Sequence, residues 1–214
     1  MFDLSLDKVA KERHAANNLP LKNPMSVPKV TIFVVGPLKV GKTAISNHIA
    51  EMSESLNGID YHPTQGVRIL EFYRKLVSDG NTHKWKEVTL EVEIWDCSGN
   101  IDYHTCWPAV STHIHGVLFI TSPDLKQDKE LDVWAELFPT IKSNQCAVFV
   151  HRPINSLSKT KVKMTHKTLA RAPLVYTSLD QEPETIRSEF DALLASAYSA
   201  MLDSREKEEK LIAG

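Results

Sequence analysis

A glycine-bracketed octet, GPLKVGKT at residues 36–43, restricts the possible fold of this chain more than any other stretch. It follows an apolar run rich in β-branched residues at 29–35, and it leads into a segment with helical periodicity at 42–56. The spacing GxxxxGK[ST] is that of a phosphate-binding loop, which connects a strand to a helix. The octet therefore predicts an α/β domain that holds an anion at the start of its first helix.

Each residue type in the octet has a chemical reason to be there. The glycines let the backbone fold tightly around an anion, so that successive N–H groups point inward. Lys42 would reach the β- and γ-phosphates of a nucleotide, and the Thr43 hydroxyl would ligate Mg²⁺. An ordinary strand–helix turn with an incidental lysine is the alternative. The predicted nucleotide contacts in this loop are Gly36, Lys39, Val40, Gly41, Lys42, Thr43 and Ala44.

Apolar runs alternate with helical stretches along the rest of the chain. Such alternation predicts a mostly parallel sheet with helices on both faces. The link at 77–87 contains no helix and its Asp79-Gly80 pair suits a turn, so its flanking strands are predicted to form an antiparallel hairpin. The predicted strands are 29–35, 67–72, 88–95, 115–121, 145–150 and 173–177, and the predicted helices are 42–56, 128–138 and 183–202.

One domain is expected to account for most of the chain. Its 214 residues are 42% hydrophobic, which is enough for one well-packed core. We expect a polar, flexible extension at 1–24, the globular domain at 25–203 and a charged, solvated tail at 204–214. A net charge of -2 provides no whole-protein field that would attract nucleic acid or anionic membranes, so neither is an expected partner.

The cysteines and the chain ends bear on compartment and membrane attachment. Cys97, Cys106 and Cys146 form no CxxC pair and no even set, which favours reduced thiols in the cytoplasm. No apolar run approaches the roughly 20 residues of a membrane span. The sequence shows no signal peptide and no cysteine placed for prenylation, so we expect a protein without a lipid anchor.

Two further segments carry residues that sense a γ-phosphate in nucleotide-binding proteins. WDCSG at 95–99 closes an apolar run, so Asp96 at a strand end can hold Mg²⁺ through water, and Gly99 can offer its N–H to the γ-phosphate. In HPTQG at 62–66, Thr64 can ligate Mg²⁺ with its hydroxyl and contact the γ-phosphate with its N–H. Both segments are then expected to be ordered only while a γ-phosphate is bound.

Together, over about residues 29–200, these motifs resemble the Ras superfamily of small GTPases. PTQGVRILEF at 63–72, followed by WDCSG and by CWPA at 106–109, is most similar to the Rab-like 5 family. The resemblance implies a six-stranded, mostly parallel P-loop G domain that binds GTP or GDP with Mg²⁺. It also implies a monomeric G domain within a hetero-oligomer, the intraflagellar transport B complex, where it binds coiled-coil subunits. The implied location is the cytoplasm and the cilium or flagellum with its base.

Two departures from the small-GTPase pattern affect hydrolysis. Asn100 stands where most small GTPases carry a glutamine that orients the attacking water, and asparagine is one methylene shorter. Leu38 would crowd the space that a partner's arginine finger must enter, and such a finger is worth on the order of 10³–10⁵ in rate. We therefore expect slow GTP hydrolysis at most, with Thr64, Gly99 and Asn100 as candidate catalytic residues. Another water-positioning group is the alternative.

A third departure affects recognition of the base. The small-GTPase motif Asn/Thr-Lys-x-Asp is replaced by HRPIN at 151–155, with Ile154 where the aspartate would accept two guanine N–H donors. His151 takes the position of the asparagine, and Arg152 can lay its guanidinium or alkyl stem on the purine. Because the base-reading acceptor is missing, a weaker preference for GTP over ATP is expected.

The last guanine-contacting motif of small GTPases, Ser-Ala, has a counterpart in TSL at 177–179. Ser178 keeps the serine, and Leu179 takes the position of the alanine, so its N–H can contact the guanine oxygen. Asp180 is a possible substitute for the missing acceptor. Ser178 and Leu179 complete the predicted nucleotide contacts.

Three functions fit these motifs to different degrees. The first is a nucleotide-dependent adaptor in which GTP orders 57–66 and 96–108, and these segments then dock on a coiled-coil partner. The second is a constitutive scaffold with a structural nucleotide, which Asn100 and the missing aspartate favour. The third is a P-loop kinase, which is poorly supported because the arginines show no lid-like cluster.

Other features have both a structural and a functional interpretation. The basic run at 159–167 is interpreted as a solvated loop, with docking to an acidic partner as the alternative. His113 and His115 have no third ligand nearby, which argues against a metal site. The aromatic group after the γ-phosphate sensor is expected either to pack inward or to form a partner hot spot. Its members are Tyr103, His104 and Trp107.

Overall fold

A computed structural model describes residues 27–52, 62–78, 83–107, 113–123, 130–152 and 161–213. The strands are β1 (Lys29–Val35), β2 (Val67–Val77), β3 (Glu87–Cys97), β4 (Gly116–Thr121), β5 (Cys146–His151) and β6 (Leu174–Thr177). The helices are α1 (Lys42–Ile49), α2 (Glu130–Glu136) and α3 (Pro183–Ala213), and short 3-10 helices lie at Ile101–Cys106, Ser143–Gln145 and Leu169–Arg171. Predictions for 1–24, 57–61, Asp79-Gly80, 108, 153–155 and 159–160 lie outside the described residues.

The six strands form one sheet in the order β2-β3-β1-β4-β5-β6. Neighbouring strands are parallel except β2 and β3, which pair antiparallel from Val67 opposite Cys97 to Val77 opposite Glu87. The predicted mostly parallel, six-stranded sheet with an antiparallel hairpin at its edge is confirmed. Because β2 and β3 pair antiparallel, the residues just before β2 lie close to the residues just after β3.

Two hydrophobic cores lie on the two faces of the sheet, and β1 contributes to both. Ile32 and Val34 pack in the core that α1 and α3 cover, whereas Phe33 and Val35 pack in the core that α2 covers. Their exposed fractions are all 1% or less, because a central parallel strand is covered on both faces. This is why the strand before the phosphate loop is a continuous apolar run.

The C-terminal helix is longer than its hydrophobic pattern predicts. The predicted helix ends at 202, whereas α3 has 31 residues and continues to Ala213. Among the described residues Met201 is the last buried one, Leu202 packs partly against the core, and the side chains from Asp203 onward are exposed. Good helix formers and an i,i+4 ion pair between Glu206 and Lys210, at 3.0 Å, support this solvated end. Among the described helices none is long and apolar enough to cross a membrane.

The segment just before β3 is attached to α3. Trp85 stacks on His83 with ring centres 4.9 Å apart and meets the edge of Tyr198 at 5.8 Å. Its Nε1 donates a hydrogen bond to Ser199 Oγ at 3.2 Å. Lys84 forms ion pairs one turn further along the helix, at 2.9 Å and 2.8 Å, with Asp203 and Glu206. We call these contacts the hairpin clamp.

Candidate nucleotide-binding site

The residues predicted to contact nucleotide gather at the edge of the sheet where the parallel strands have their carboxyl ends. The phosphate loop follows β1, Asp96 lies near the end of β3, and His151 ends β5. Ser178 follows β6, and Thr64 lies just before β2, which runs antiparallel to β3. Ligands of open α/β sheets bind in the crevice at this edge.

Backbone conformation and close packing both require glycine at the two ends of the phosphate loop. Gly36 has φ 140° and Gly41 has φ 89°, values that favour glycine. A Cβ at Gly36 would lie 2.0 Å from the backbone oxygen of Ile120, and one at Gly41 would lie 2.8 Å from Cδ2 of His151. Lys39 also has a positive φ, of 64°. The loop is therefore a tightly folded cradle that contacts β4 and β5.

Lys42 places a buried positive charge in this cradle. Its Nζ donates hydrogen bonds to the backbone oxygens of Gly36, at 2.9 Å, and Pro37, at 2.7 Å. Burial lowers the pKa of Lys42 to about 8, although the negative charge of Asp96 opposes this shift. The ammonium group thus lies within the loop, and its contact with the β- and γ-phosphates stays a prediction.

The Thr43 hydroxyl connects the other two predicted metal-binding residues. It donates a hydrogen bond to Oδ2 of Asp96 at 2.8 Å, and it lies 3.1 Å from the Thr64 hydroxyl. Because its single proton points to Asp96, Thr43 accepts the hydrogen bond from Thr64. The three residues come from the start of α1, the segment before β2 and the end of β3. The structure therefore brings together all three metal-binding residues that the sequence predicts.

This donor set fits Mg²⁺. Two hydroxyls and one carboxylate are hard oxygen ligands, and Mg²⁺ in nucleotide sites takes one or two carboxylates together with phosphate oxygens. Asp96 is fully buried, and its Oδ1 has no hydrogen-bonding partner among the described residues. Burial raises the pKa of Asp96, while the Thr43 hydrogen bond and the charges of Arg68 and Lys42 lower it. A bound cation or its water would satisfy this oxygen.

Gly99 makes the closest approach to the phosphate loop. A Cβ there would lie 2.6 Å from both the Leu38 nitrogen and the Pro37 carbonyl carbon, and 2.8 Å from Nζ of Lys42. Any side chain at this position would therefore displace the loop or its lysine. Leu38 is 43% exposed, and its hindrance of an arginine finger stays a prediction.

Asn100 is engaged in a local turn. Its Nδ2 donates to Asp102 Oδ2 at 3.0 Å, and its Oδ1 accepts from the Asp102 N–H at 3.1 Å. Its own N–H donates to Ser98 Oγ at 3.2 Å. The side chain thus starts the 3-10 helix Ile101–Cys106 in the manner of an Asx turn. Both Nδ2 and Oδ1 of the Asn100 amide are thus hydrogen-bonded to the nearby Asp102.

The residues at the ends of β5 and β6 include the predicted base contacts, and we call this part the base end of the site. The Arg152 guanidinium carbon lies 4.4 Å from the centre of the Tyr176 ring, a cation–π contact. His151 is buried, with Nδ1 3.3 Å from Thr177 Oγ1, and its ring contacts the phosphate loop at Gly41. Burial lowers the pKa of His151, which favours the neutral ring. His151 therefore connects the base end to the phosphate loop.

The turn between β6 and α3 carries the last predicted base contacts. Ser178 is buried, and its backbone oxygen accepts the Glu182 N–H at 3.0 Å. The Leu179 side chain packs against the core under α1 and α3, so only its backbone can face a ligand. Asp180 is exposed, and its charge raises the pKa of His151 against the effect of burial. Direct contact of these residues with a base stays a prediction.

The structure separates the two interpretations of the aromatic group after the γ-phosphate sensor. Trp107 is 2% exposed and packs in the core under α2, so it is not a surface hot spot in this structure. Tyr103 is half-buried against the same core.

His115 accepts the Thr31 N–H at 3.0 Å, a structural role. The described residues contain no group of three or more metal-ligating side chains of the His, Cys, Asp and Glu types.

Comparison with known proteins shows the family of this chain. The family described as Ras of Complex, Roc, domain of DAPkinase matches residues 31–155. The intraflagellar transport protein 22 homolog of Danio rerio is 36% identical over 188 residues, which cover 86% of this chain and 98% of that protein. The Homo sapiens homolog is 35% identical over 189 residues, with the same coverage of each chain. The chain belongs to the intraflagellar transport protein 22 family.

More distant members of the intraflagellar transport protein 22 family share the fold. The Trypanosoma brucei protein of that name is 24% identical over 206 residues, which cover 86% of this chain and 93% of that protein. The GTP-bound crystal structure of T. brucei IFT22/74/81 superposes with a TM-score of 0.63 at 25% identity and covers 82% of this chain and 98% of that one. The GDP-bound T. brucei IFT22 structure gives 0.58 at 23% identity, covering 81% and 98%. The predicted resemblance to small GTPases and to Rab-like 5 is confirmed.

One residue of the candidate nucleotide-binding site was not predicted from the sequence. Arg68 lies directly opposite Asp96 in the β2–β3 pairing, and its Nη2 is 3.5 Å from Asp96 Oδ2. The only signal for it in the sequence is the predicted antiparallel hairpin. The structure supplies the register, in which equal counting from Val77 opposite Glu87 leads to Arg68 opposite Asp96.

Proposed function

We propose that this chain is an atypical guanine-nucleotide switch that acts as an adaptor subunit of the intraflagellar transport B complex. The observation that carries the proposal is the contact of the Thr43 hydroxyl with both Thr64, at 3.1 Å, and Asp96, at 2.8 Å. The phosphate loop, the γ-phosphate sensor and the metal carboxylate thus meet at one point. A γ-phosphate bound there would hold all three, and its loss would release Thr64.

GTP, GDP and Mg²⁺ are the proposed ligands of this site. Lys42 and the inward N–H groups of the loop would hold the phosphates, and Gly99 would offer its N–H to the γ-phosphate. Thr43 and Thr64 would ligate Mg²⁺, with Asp96 holding its water shell. The metal would neutralise charge on the β- and γ-phosphates. The orphaned Oδ1 of Asp96 and the glycine-lined cradle support this assignment.

The proposed partners are coiled-coil subunits of the intraflagellar transport B complex, bound in the cytoplasm and in the cilium or flagellum and its base. A structural relative was solved as T. brucei IFT22/74/81 with GTP bound, which supports an assembly of this kind. Residues 62–66 and 96–107 are the proposed nucleotide-dependent surface, because they lie at the Thr64 and Asp96 sides of the metal site. The chain would take part as one G domain of a hetero-oligomer.

Hydrolysis is proposed to be slow. Asn100 is poorly placed to orient water, because its amide is held in a local turn by hydrogen bonds to Asp102 through both Nδ2 and Oδ1. Leu38 at the loop entrance would hinder an arginine finger, which is worth on the order of 10³–10⁵ in rate where it acts. We therefore propose that the GTP-bound state of the protein is long-lived.

A constitutive scaffold with a structural nucleotide is the second candidate. It is supported by the same Asn100 turn and by His151, which packs between Gly41 and Thr177 as a structural residue. In that case the nucleotide would stabilise the fold without changing partner affinity, since a ligand shifts an equilibrium only through its differential affinity for the two states.

The deciding experiment measures partner affinity in three nucleotide states. The partner coiled-coil pair is titrated into the full chain loaded with a non-hydrolysable GTP analogue, with GDP, or with no nucleotide. A switch predicts at least about tenfold tighter binding in the GTP state, or about 1.4 kcal/mol. Thr64→Ala should remove this difference while leaving GDP binding intact. Equal affinity in all three states would leave only the scaffold.

A competition experiment tests base selectivity separately. Labelled GTP is displaced with unlabelled GTP, GDP or ATP at a fixed excess of Mg²⁺. Because the acceptor that reads guanine is absent from HRPIN, ATP should displace GTP within about two orders of magnitude of the GTP concentration, rather than the 10⁴–10⁵ discrimination that a matched polar contact can give. No displacement by ATP at large excess would mean that another residue, such as Asp180, reads the base.

A further inference from the structure

Arg68 lies beside the carboxylate that the proposed function assigns to Mg²⁺. It is the direct cross-strand partner of Asp96, and its Nη2 lies 3.5 Å from Asp96 Oδ2. The same oxygen accepts the Thr43 hydrogen bond at 2.8 Å. Asp96 is fully buried and the Arg68 side chain is 31% exposed, so the pair is only partly screened by solvent.

The guanidinium is held in this position from a second side. Nη2 of Arg68 also donates a hydrogen bond to Oδ1 of Asn47, which is buried on α1. Arg68 therefore connects β2, β3 and the helix that follows the phosphate loop. An arginine side chain cannot lose its proton in a protein, so the positive charge beside Asp96 is permanent.

A permanent cation at this oxygen affects the binding of a second cation. Mg²⁺ held through water by Asp96 would share that carboxylate with Arg68, and two positive charges a few ångströms apart repel each other where solvent screening is incomplete. We infer that Arg68 competes with Mg²⁺ for Asp96, so that this chain needs a higher free Mg²⁺ concentration to retain nucleotide than it would without this arginine. The inference rests on the proposed nucleotide site.

The test measures how nucleotide release depends on free Mg²⁺. The full chain is loaded with a fluorescent GDP, and its release rate is followed while an EDTA buffer sets free Mg²⁺ over several decades. Removing the charge in Arg68→Gln should shift the midpoint of this dependence about tenfold toward lower free Mg²⁺, because the competing cation is gone. Arg68→Met serves the same purpose if the glutamine variant does not fold.

Two controls separate charge from structure. Arg74 lies on the same strand and face, donates to the Ile49 backbone oxygen of α1 at 2.8 Å, and is opposite Leu90 rather than Asp96. Arg74→Gln removes an arginine of similar structural role, so its Mg²⁺ midpoint should match that of the wild type. Arg68→Lys keeps the charge and should also stay close to the wild type.

Each result decides the inference. A tenfold shift in Arg68→Gln, absent from Arg74→Gln and Arg68→Lys, supports competition. An unchanged midpoint would show that Arg68 only connects strands and helix, and a shift toward higher Mg²⁺ would show that it orients Asp96 for the metal; either overturns the inference and leaves the proposed function standing. Failure of the wild type to bind the fluorescent GDP at any Mg²⁺ concentration would overturn both.

Discussion

Lys42 links nucleotide binding to proton uptake. Burial lowers its pKa to about 8, so part of the population is neutral at pH 8.5, and bound phosphates would restore the charged form. Nucleotide binding at pH 8.5 should therefore take up a fraction of one proton, and binding at pH 6.5 should take up none at this residue. Calorimetry in two buffers of different ionisation enthalpy measures the uptake, which Lys42→Arg should abolish. Proton release at pH 8.5 would contradict this.

The same shift has a consequence for stability. The pKa of Lys42 is lower in the folded state than the ordinary value of 10.5, so between about pH 8 and pH 10.5 the unfolded chain binds more protons at this residue. Lys42 therefore lowers the free energy of unfolding below pH 8. This destabilisation decreases as pH rises through the window. The destabilisation results from burying the Lys42 ammonium group at the proposed phosphate site.

Asn100 is expected to contribute little to hydrolysis. Because hydrogen bonds to Asp102 hold both Nδ2 and Oδ1 in the turn, we expect alanine at this position to remove a turn contact rather than a water-positioning group. Asn100→Ala should change the single-turnover GTP hydrolysis rate by less than about threefold, compared with the 10²–10⁴ typical of a lost acid–base group. Thr64→Ala serves as the contrast. A loss of a hundredfold or more in Asn100→Ala would show that the side chain leaves this turn during catalysis.

At the level of elements, the hairpin clamp attaches the segment between the two γ-phosphate sensors to the C-terminal helix. Trp85 contributes most of the apolar contact, so Trp85→Ala should lower the free energy of unfolding by about 2 kcal/mol, less than for a fully buried tryptophan. Urea denaturation measures the change. Tyr73→Ala on the same hairpin is the control, because this aromatic ring is 68% exposed and should matter by less than about 0.5 kcal/mol. Equal losses in both variants would argue against the clamp.

The sequence predicts the existence and order of the strands better than their ends. β1 has the predicted bounds because all its residues after Lys29 are buried. β2 extends to Val77, five residues beyond the predicted end at 72, because Arg74 and Lys75 interrupt the apolar run there. The packing of Trp107 had no signal either, since a single aromatic residue in a loop has no periodicity. Side-chain pairs such as Arg68 and Asp96 depend on the register of a hairpin, which only the structure gives directly.

At the level of the whole molecule, the domain boundary predicted at 203 can be tested by truncation. Every described side chain after Leu202 is exposed, so a chain ending at Asp203 should keep its core. We expect its thermal midpoint to fall by less than about 3 °C and its nucleotide affinity to stay unchanged. A chain ending at Phe190 should not fold, because Leu193, Leu194 and Ala197 of the core are lost. A fall of ten degrees for the longer truncation would place part of the tail inside the domain.

The length of α3 offers a built-in molecular ruler. It begins next to the base end of the site at Pro183, and at 1.5 Å per residue its exposed Glu209 lies about 40 Å further along the axis. Energy transfer between a ribose-labelled nucleotide and a dye at position 209 would report occupancy of the site. Cys97 and Cys146 are buried and Cys106 is exposed, so replacing Cys106 alone would let a cysteine at 209 take the dye selectively.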